Sequence, residues 1–258
     1  MGFDVDRVSK VVTVDHNHNS FATTSVAGNP KTKKYNNLTV IGIIKRNKGA
    51  NKVLKREHPK TKIEGDNSPM LYALKNMDGL STTSKDARSL FRNARKILHN
   101  ELPVHGIAFD YILTVPSSHK LASIVAQLIT LVCRKLGHPA IPVHAVLHKA
   151  SGNDVKEQVS ALEIKRSDRQ KVLVAVKRFI RDSGGDSDFQ IKCVRMDLRK
   201  HVNLFVLGYE VSRNADPLNI SLVDDMVTSG SSLISARNLV QQVYPNATIY
   251  ACVLFSAS

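Results

Sequence analysis

The spacing of apolar residues changes character near residue 109. Residues 1 to about 37 have weak periodicity and many Asn, Thr, Ser and His, with Gly28-Asn29-Pro30 as a turn signal. They read as an irregular arm with one short strand over residues 8–14. Residues 38–44 form a β-branched run that predicts a strand. Residues 47–67 are basic and polar and read as a loop. Ser68-Pro69 predicts a helix start, Ser68 as the cap and Pro69 in the first turn, with Met70, Leu71, Leu74 and Met77 on one face. Thr83 or Ser84 would cap a second helix, whose apolar stripe is Ala87, Leu90, Phe91, Ala94, Ile97 and Leu98.

Beyond residue 109 short apolar runs alternate with helical patterns. Strands are expected over residues 109–115, 140–147, 202–208, 219–223 and 247–255. Helices are expected over 119–136, closed by Gly137, and over 231–243. A long helical pattern runs through Ile180 after a loop at 151–154, and Ser183-Gly184-Gly185 ends it. This alternation predicts an α/β fold with a doubly wound parallel sheet, whose ligands sit at the carboxyl ends of the strands. Residues 1–66 read as a basic arm or hood, and residues 67–258 as the α/β domain.

The 258 residues are 42% hydrophobic and 23% charged, which excludes wholesale disorder. Cys133, Cys193 and Cys252 make no CxxC pair, so a disulfide framework and a cysteine zinc site are not expected. The longest apolar stretch, residues 121–133, contains Gln127 and is too short to span a bilayer, and the first residues lack the order of a secretory signal. A reduced, cytoplasmic compartment and no membrane partner are the expectation. Lys and Arg outnumber Asp and Glu by 37 to 22, a net charge of +15 that favours polyanionic partners. Eleven bases and only one acid, Glu57, lie between Lys31 and Lys62.

Residues 220–233 read Ile-Ser-Leu-Val-Asp-Asp-Met-Val-Thr-Ser-Gly-Ser-Ser-Leu. An apolar strand ends in two acids, a Thr-Ser-Gly turn follows, and a helix begins. Backbone N–H groups and hydroxyls at a helix N-terminus form a ready phosphate site, and Gly230 allows close approach. The carboxylates of Asp224 and Asp225 suit sugar hydroxyls or Mg²⁺. The run resembles the signature by which type I phosphoribosyltransferases bind 5-phosphoribosyl-1-pyrophosphate (PRPP), departing from it only at Ser221. Residues 110–120, Asp-Tyr-Ile-Leu-Thr-Val-Pro-Ser-Ser-His-Lys, stand where that family has its pyrophosphate loop. The Asp-x-Ile-x-x-Val-Pro run and the Gln158-to-Leu162 element are similar to the ComF-type branch. That branch's Arg-Gly-Phe-Asn run and its zinc cysteines are missing.

The resemblance implies transfer of ribose 5-phosphate from PRPP to an acceptor, such as a nucleobase, with release of pyrophosphate. Thr228, Ser229, Gly230, Ser231 and Ser232 would hold the 5′-phosphate. Asp224 and Asp225 would serve catalysis, binding the ribose hydroxyls directly or through Mg²⁺. Ser117, Ser118, His119 and Lys120 would bind pyrophosphate, and a mobile loop with Lys149 and Gln158 would close over the site. A homo-oligomer is compatible with this reading. A second class stays open: a PRPP- or nucleotide-binding sensor or nucleic-acid-associated factor, with residues 31–62 contacting nucleic acid. The bland reading of that stretch is a solvated loop, since Tyr35 is its only stacking aromatic. His16-Asn17-His18 reads as solvated rather than metal-binding. Neither GxxxxGK[ST] nor GxSxG occurs.

Overall fold

The computed structural model describes residues 2–47, 68–143, 146–208 and 217–256. In chain order the strands and helices begin β1 (Gly2–Val5), β2 (Val11–Asp15), β3 (Ala22–Thr23), β4 (Lys31–Tyr35), β5 (Leu38–Arg46), α1 (Pro69–Leu74), β6 (Ser81–Thr82), α2 (Ser84–Val104), β7 (Tyr111–Thr114), α3 (Leu121–Lys135) and β8 (Ile141–Val143). There follow β9 (Leu147–Lys149), α4 (Gly152–Ala161), α5 (Arg166–Ser183), β10 (Phe205–Leu207), β11 (Asn219–Met226), α6 (Ser231–Val243) and β12 (Thr248–Phe255). Two compact units result. The first comprises residues 1–143, 217–230 and 247–258, and the second residues 144–216 and 231–246.

The first unit is a mixed α/β body around a largely parallel sheet. β5, β12, β11, β7 and β8 are parallel neighbours in that order, and β3 and β4 pair antiparallel with β5. The register pairs Val223 of β11 with Thr114 of β7 and with Cys252 of β12. β11 is therefore interior to the sheet, and its apolar run Ile220, Leu222 and Val223 is fully buried. Near-continuous apolar character is what a strand covered on both faces requires. α3 buries Val125, Ile129 and Val132, and α2 buries Leu90, Ala94, Ile97 and Leu98, in one core with Ile41, Ile43 and Leu254. Thr83 caps α2 by accepting from the Asp86 N–H at 3.1 Å, as the sequence predicts, and Asp86 also accepts from the Val14 N–H of β2 at 2.9 Å. Gly137, at φ +82°, follows the end of α3.

The amino-terminal residues are more ordered than their composition predicts. The expected irregular arm holds β1 to β4, and β5 extends the predicted 38–44 strand to Arg46. β4 reads Lys-Thr-Lys-Lys-Tyr and has no apolar alternation, so periodicity is blind to it. Its order comes from pairing with β5, and its lysines are what an exposed sheet edge tolerates. Ser68 precedes α1, but its hydroxyl accepts from an Arg46 guanidinium N–H at 2.8 Å instead of capping the helix.

The second unit pairs β9 with β10 antiparallel and packs α4 and α5 around Val155, Val159, Val172, Val176 and Phe179. The single long helix expected here is broken at residues 162–165. Val155 and Phe179 share that core, yet an unbroken helix would hold them about 36 Å apart at 1.5 Å per residue. Residues 151–154, expected as a loop, are the cap and first turn of α4. Ser151 and Asp154 form a reciprocal capping box.

At Gly42 on β5 a methyl group would overlap the Ser256 side chain and lie 2.8 Å from its Cα. Gly42→Ala is expected to cost about 1–3 kcal/mol in urea unfolding, as for overpacking elsewhere. An unchanged midpoint would show that Ser256 yields freely.

Candidate functional site

β11 outruns its neighbour β7. Pairing to β7 stops at Val223, whereas pairing to β12 continues to Met226. Asp224 and Asp225 thus emerge beyond the end of one flanking strand, at the carboxyl edge where parallel sheets bind ligands. The backbone there bonds locally, the Asp225 N–H donating to Asp224 Oδ1 at 2.8 Å.

The two carboxylates have different surroundings. Asp225 Oδ2 lies 2.6 Å from the Nζ of Lys75, and the two side chains are only 9% and 15% exposed. A charge pair this sheltered keeps Asp225 compensated. Asp224 is half-buried, and loss of hydration, followed by the neighbouring Asp225 charge, pushes its pKa up to about 7. The Asp225 N–H and Lys75 act in the opposite direction and do not cancel the rise. One acid is thus held by a lysine, and the other changes protonation near neutrality.

The turn after β11 begins with Val227, buried, whose N–H donates to the Phe255 carbonyl at 3.2 Å. Thr228 and Ser229 are exposed. Gly230 stands at φ +78°, and a Cβ there would lie 2.7 Å from the Tyr35 ring. Conformation and space therefore both demand glycine. Ser231 and Ser232 open α6, in the second unit, and no acid occupies that first turn.

After β7 come Ser117, Ser118 and Lys120, exposed, and His119, half-buried. Ser117 Oγ accepts from the His119 N–H at 3.3 Å, and the start of α3 has no side-chain cap and no acid in its first turn. Since β7 and β11 are adjacent and parallel, the structure brings the 117–120 turn, Asp224, Asp225 and the 228–230 turn to one edge of one sheet. Lys149 and Gln158 belong to the second unit. Lys149 ends β9 and pairs with Asp188 at 3.2 Å, and Gln158 lies in α4, so neither stands on a free loop. The capping box and the buried Val155 and Val159 make this stretch helical. Of the basic stretch 31–62, residues 48–62 lie outside the described residues.

Lys75 and the packing of Tyr35 on Gly230 are absent from the sequence reading. No local pattern marks Lys75, because its partner is 150 residues away along the chain and the two meet only in the folded unit. Among the described residues no group of three or more His, Cys, Asp or Glu side chains is placed to hold a metal ion. His18 is engaged locally, its Nδ1 accepting from the Ser20 N–H at 3.1 Å. No helix among the described residues is long and apolar enough to cross a membrane. No known protein-family model matches the chain, and no curated protein matches it either.

The Asp224 environment sets a pH dependence. Folding raises its pKa from 3.8 to about 7, so the folded state holds a proton that the unfolded chain has released. Stability should fall as pH rises between about 4 and 7, since the unfolded state there binds fewer protons. Asp224→Asn should therefore be more stable than the parent by about 2–4 kcal/mol at pH 8 and by little at pH 4, at 1.36 kcal/mol per pKa unit. Urea unfolding at both values checks this; an equal effect at both would contradict the assignment.

Proposed function

We propose that the chain is a phosphoribosyltransferase of the type I kind, binding PRPP with Mg²⁺ and transferring ribose 5-phosphate to an acceptor. The observation that carries the reading is the placement of the acid pair and the Thr-Ser-Gly turn at the carboxyl edge of an interior strand, beside the strand that leads into the 117–120 turn. The 5′-phosphate would be held by the Thr228, Ser229 and Gly230 turn, which supplies hydroxyls and backbone amides. Ser117, Ser118, His119 and Lys120 would take the pyrophosphate. The ribose hydroxyls would face Asp224 and Asp225.

In the transfer, the bond from ribose C1 to the pyrophosphate oxygen breaks with its electron pair leaving on pyrophosphate. A bond from C1 to the acceptor forms, and the acceptor loses a proton. Positive charge develops on the sugar, so placing the reactants and managing charge are the protein's tasks, and no protein nucleophile is needed. Asp224, poised near neutrality, suits receipt of that proton. Asp225, held in place by its ion pair with Lys75, suits a fixed hydrogen bond to the sugar. Mg²⁺ commonly keeps several waters and takes one or two carboxylates together with substrate phosphates, and this pair fits such an open arrangement. When bound, the ion would neutralise charge on the leaving pyrophosphate.

One observation favours a second reading, a PRPP- or nucleotide-binding regulator without turnover: Lys75 already occupies Asp225. Calorimetry with PRPP and Mg²⁺, with pyrophosphate release followed on the same sample, separates the two. The expected result is binding, weakened about tenfold or more in Thr228→Val through loss of a hydrogen bond to a charged group. Release should start when a nucleobase pool is added and should fall in Asp224→Asn. Binding without release in any acceptor pool would favour the regulator. Absence of binding by folded protein would overturn both readings.

A further inference from the structure

A second concave site lies within the first unit, on the amino-terminal strands. Lys31, Lys33 and Tyr35 of β4, together with Val40, Gly42, Lys45 and Arg46 of β5, line it with Thr32, Val227 and Ser256, enclosing about 300 Å³. Four of these residues are cationic and none is acidic. Among the described residues Lys31, Lys33 and Lys45 make no ion pair with a carboxylate; the Lys33 ammonium lies 5.1 Å from the centre of the Tyr35 ring. Arg46 is fixed in place, its Nε donating to the Ser256 carbonyl at 2.7 Å and its terminal nitrogen to Ser68 Oγ at 2.8 Å. The Tyr35 hydroxyl is buried and has no hydrogen-bond partner among the described residues.

Lysines on an edge strand commonly do no more than discourage pairing with another chain. That explanation covers β4 alone. It leaves out Lys45 and Arg46, which come from the neighbouring strand, and it leaves out the concavity. Within β4, Lys31, Thr32, Lys33 and Tyr35 line the pocket, whereas Lys34 does not. The Gly42–Ser256 contact and the Tyr35–Gly230 contact fix the local packing around the cavity, so its shape is set by close-packed groups.

We propose that this pocket binds a small phosphorylated molecule, with Lys31, Lys33 and Lys45 as its charge partners, fixed Arg46 beside them and Tyr35 as its wall. A doubly charged phosphate monoester matches several ammonium-bearing residues around one pocket better than a single carboxylate, which would leave most of them uncompensated. The volume is at the lower end for small-molecule sites, and a half-open pocket of this size suits one compact anion better than an extended polyanion, which needs a continuous strip. Val227 contributes to this pocket and also begins the turn after β11, so an occupant would sit next to that turn. The inference stands independently of PRPP binding, because none of its charged residues belongs to the acid pair or to the hydroxyl-rich turn.

The test is an amide NMR titration of the full chain with inorganic phosphate at constant ionic strength, chloride being exchanged for phosphate. Saturable shifts at Lys33, Tyr35, Gly42 and Lys45 are expected. The affinity read there should fall tenfold or more in the double variant Lys33→Gln and Lys45→Gln, and should hold within about twofold in Lys34→Gln. Each variant is accepted only with a dispersed spectrum like the parent's, and Lys31→Gln offers a second, exposed position if the double variant fails to fold. Shifts confined to the 117–120 and 228–230 turns would overturn the proposal. So would equal weakening by Lys34→Gln and Lys33→Gln, which would mean diffuse attraction. A ten-nucleotide RNA that binds through Lys34 as strongly as through Lys33, with no saturable phosphate site, would overturn it in favour of a nucleic-acid strip.

Discussion

Two adjacent carboxylates at the end of an interior strand repel each other and lose hydration, and the first unit meets that constraint with Lys75. The ion pair with Asp225, 2.6 Å long and largely out of water, partly offsets one of the two like charges. Without it, both acids would stand beyond the end of β7 with no local cation, and the strand end would be costly to ionise. Lys75 follows directly on α1, so the short helix that begins at Pro69 has a job beyond packing: it delivers a cation to the sheet edge. The arrangement leaves Asp224 as the group free to gain and lose a proton near neutral pH. A carboxyl group raised toward neutrality beside an ion-paired neighbour is a common feature of catalytic and ligand sites.

The elements most legible in the sequence are those whose patterns are local and strong. α6 is bounded by residues 231 and 243 as its apolar positions indicate, and α2 buries Leu90, Ala94, Ile97 and Leu98 of its anticipated stripe. β11 and β12 read clearly because strands covered on both faces are continuously apolar. β4 is silent because an edge strand needs only a partner, and three lysines and a threonine satisfy that as well as valines would. The division between α4 and α5 is silent as well: helical periodicity runs on through residues 162–165, and only the need for Val155, Val159, Val172, Val176 and Phe179 to reach one core breaks it.

The same distinction holds at the site. Asp224, Asp225 and the Thr228-to-Gly230 turn are legible because strand, acids and turn are consecutive, and the turn's chemistry depends on neighbours in sequence. Lys75 and Tyr35 are illegible because they act across 150 and 195 residues of chain and carry no motif of their own. Glycine shows how the two levels meet. Its role at position 230 is readable as backbone freedom, yet the Tyr35 ring that excludes any side chain there is visible only in the fold. The positive charge of the amino-terminal third is readable as composition, whereas the gathering of Lys31, Lys33, Lys45 and Arg46 around one pocket is visible only in the fold.

The raised pKa of Asp224 is the claim on which the site's chemistry turns, and carboxyl-detected ¹³C NMR titration of the folded chain reads it directly. Asp224 is expected to titrate near pH 7, and Lys75→Met to move that titration to higher pH, because the lysine favours the ionised carboxylate. Titration of Asp224 near pH 4, unaffected by Lys75→Met, would contradict it.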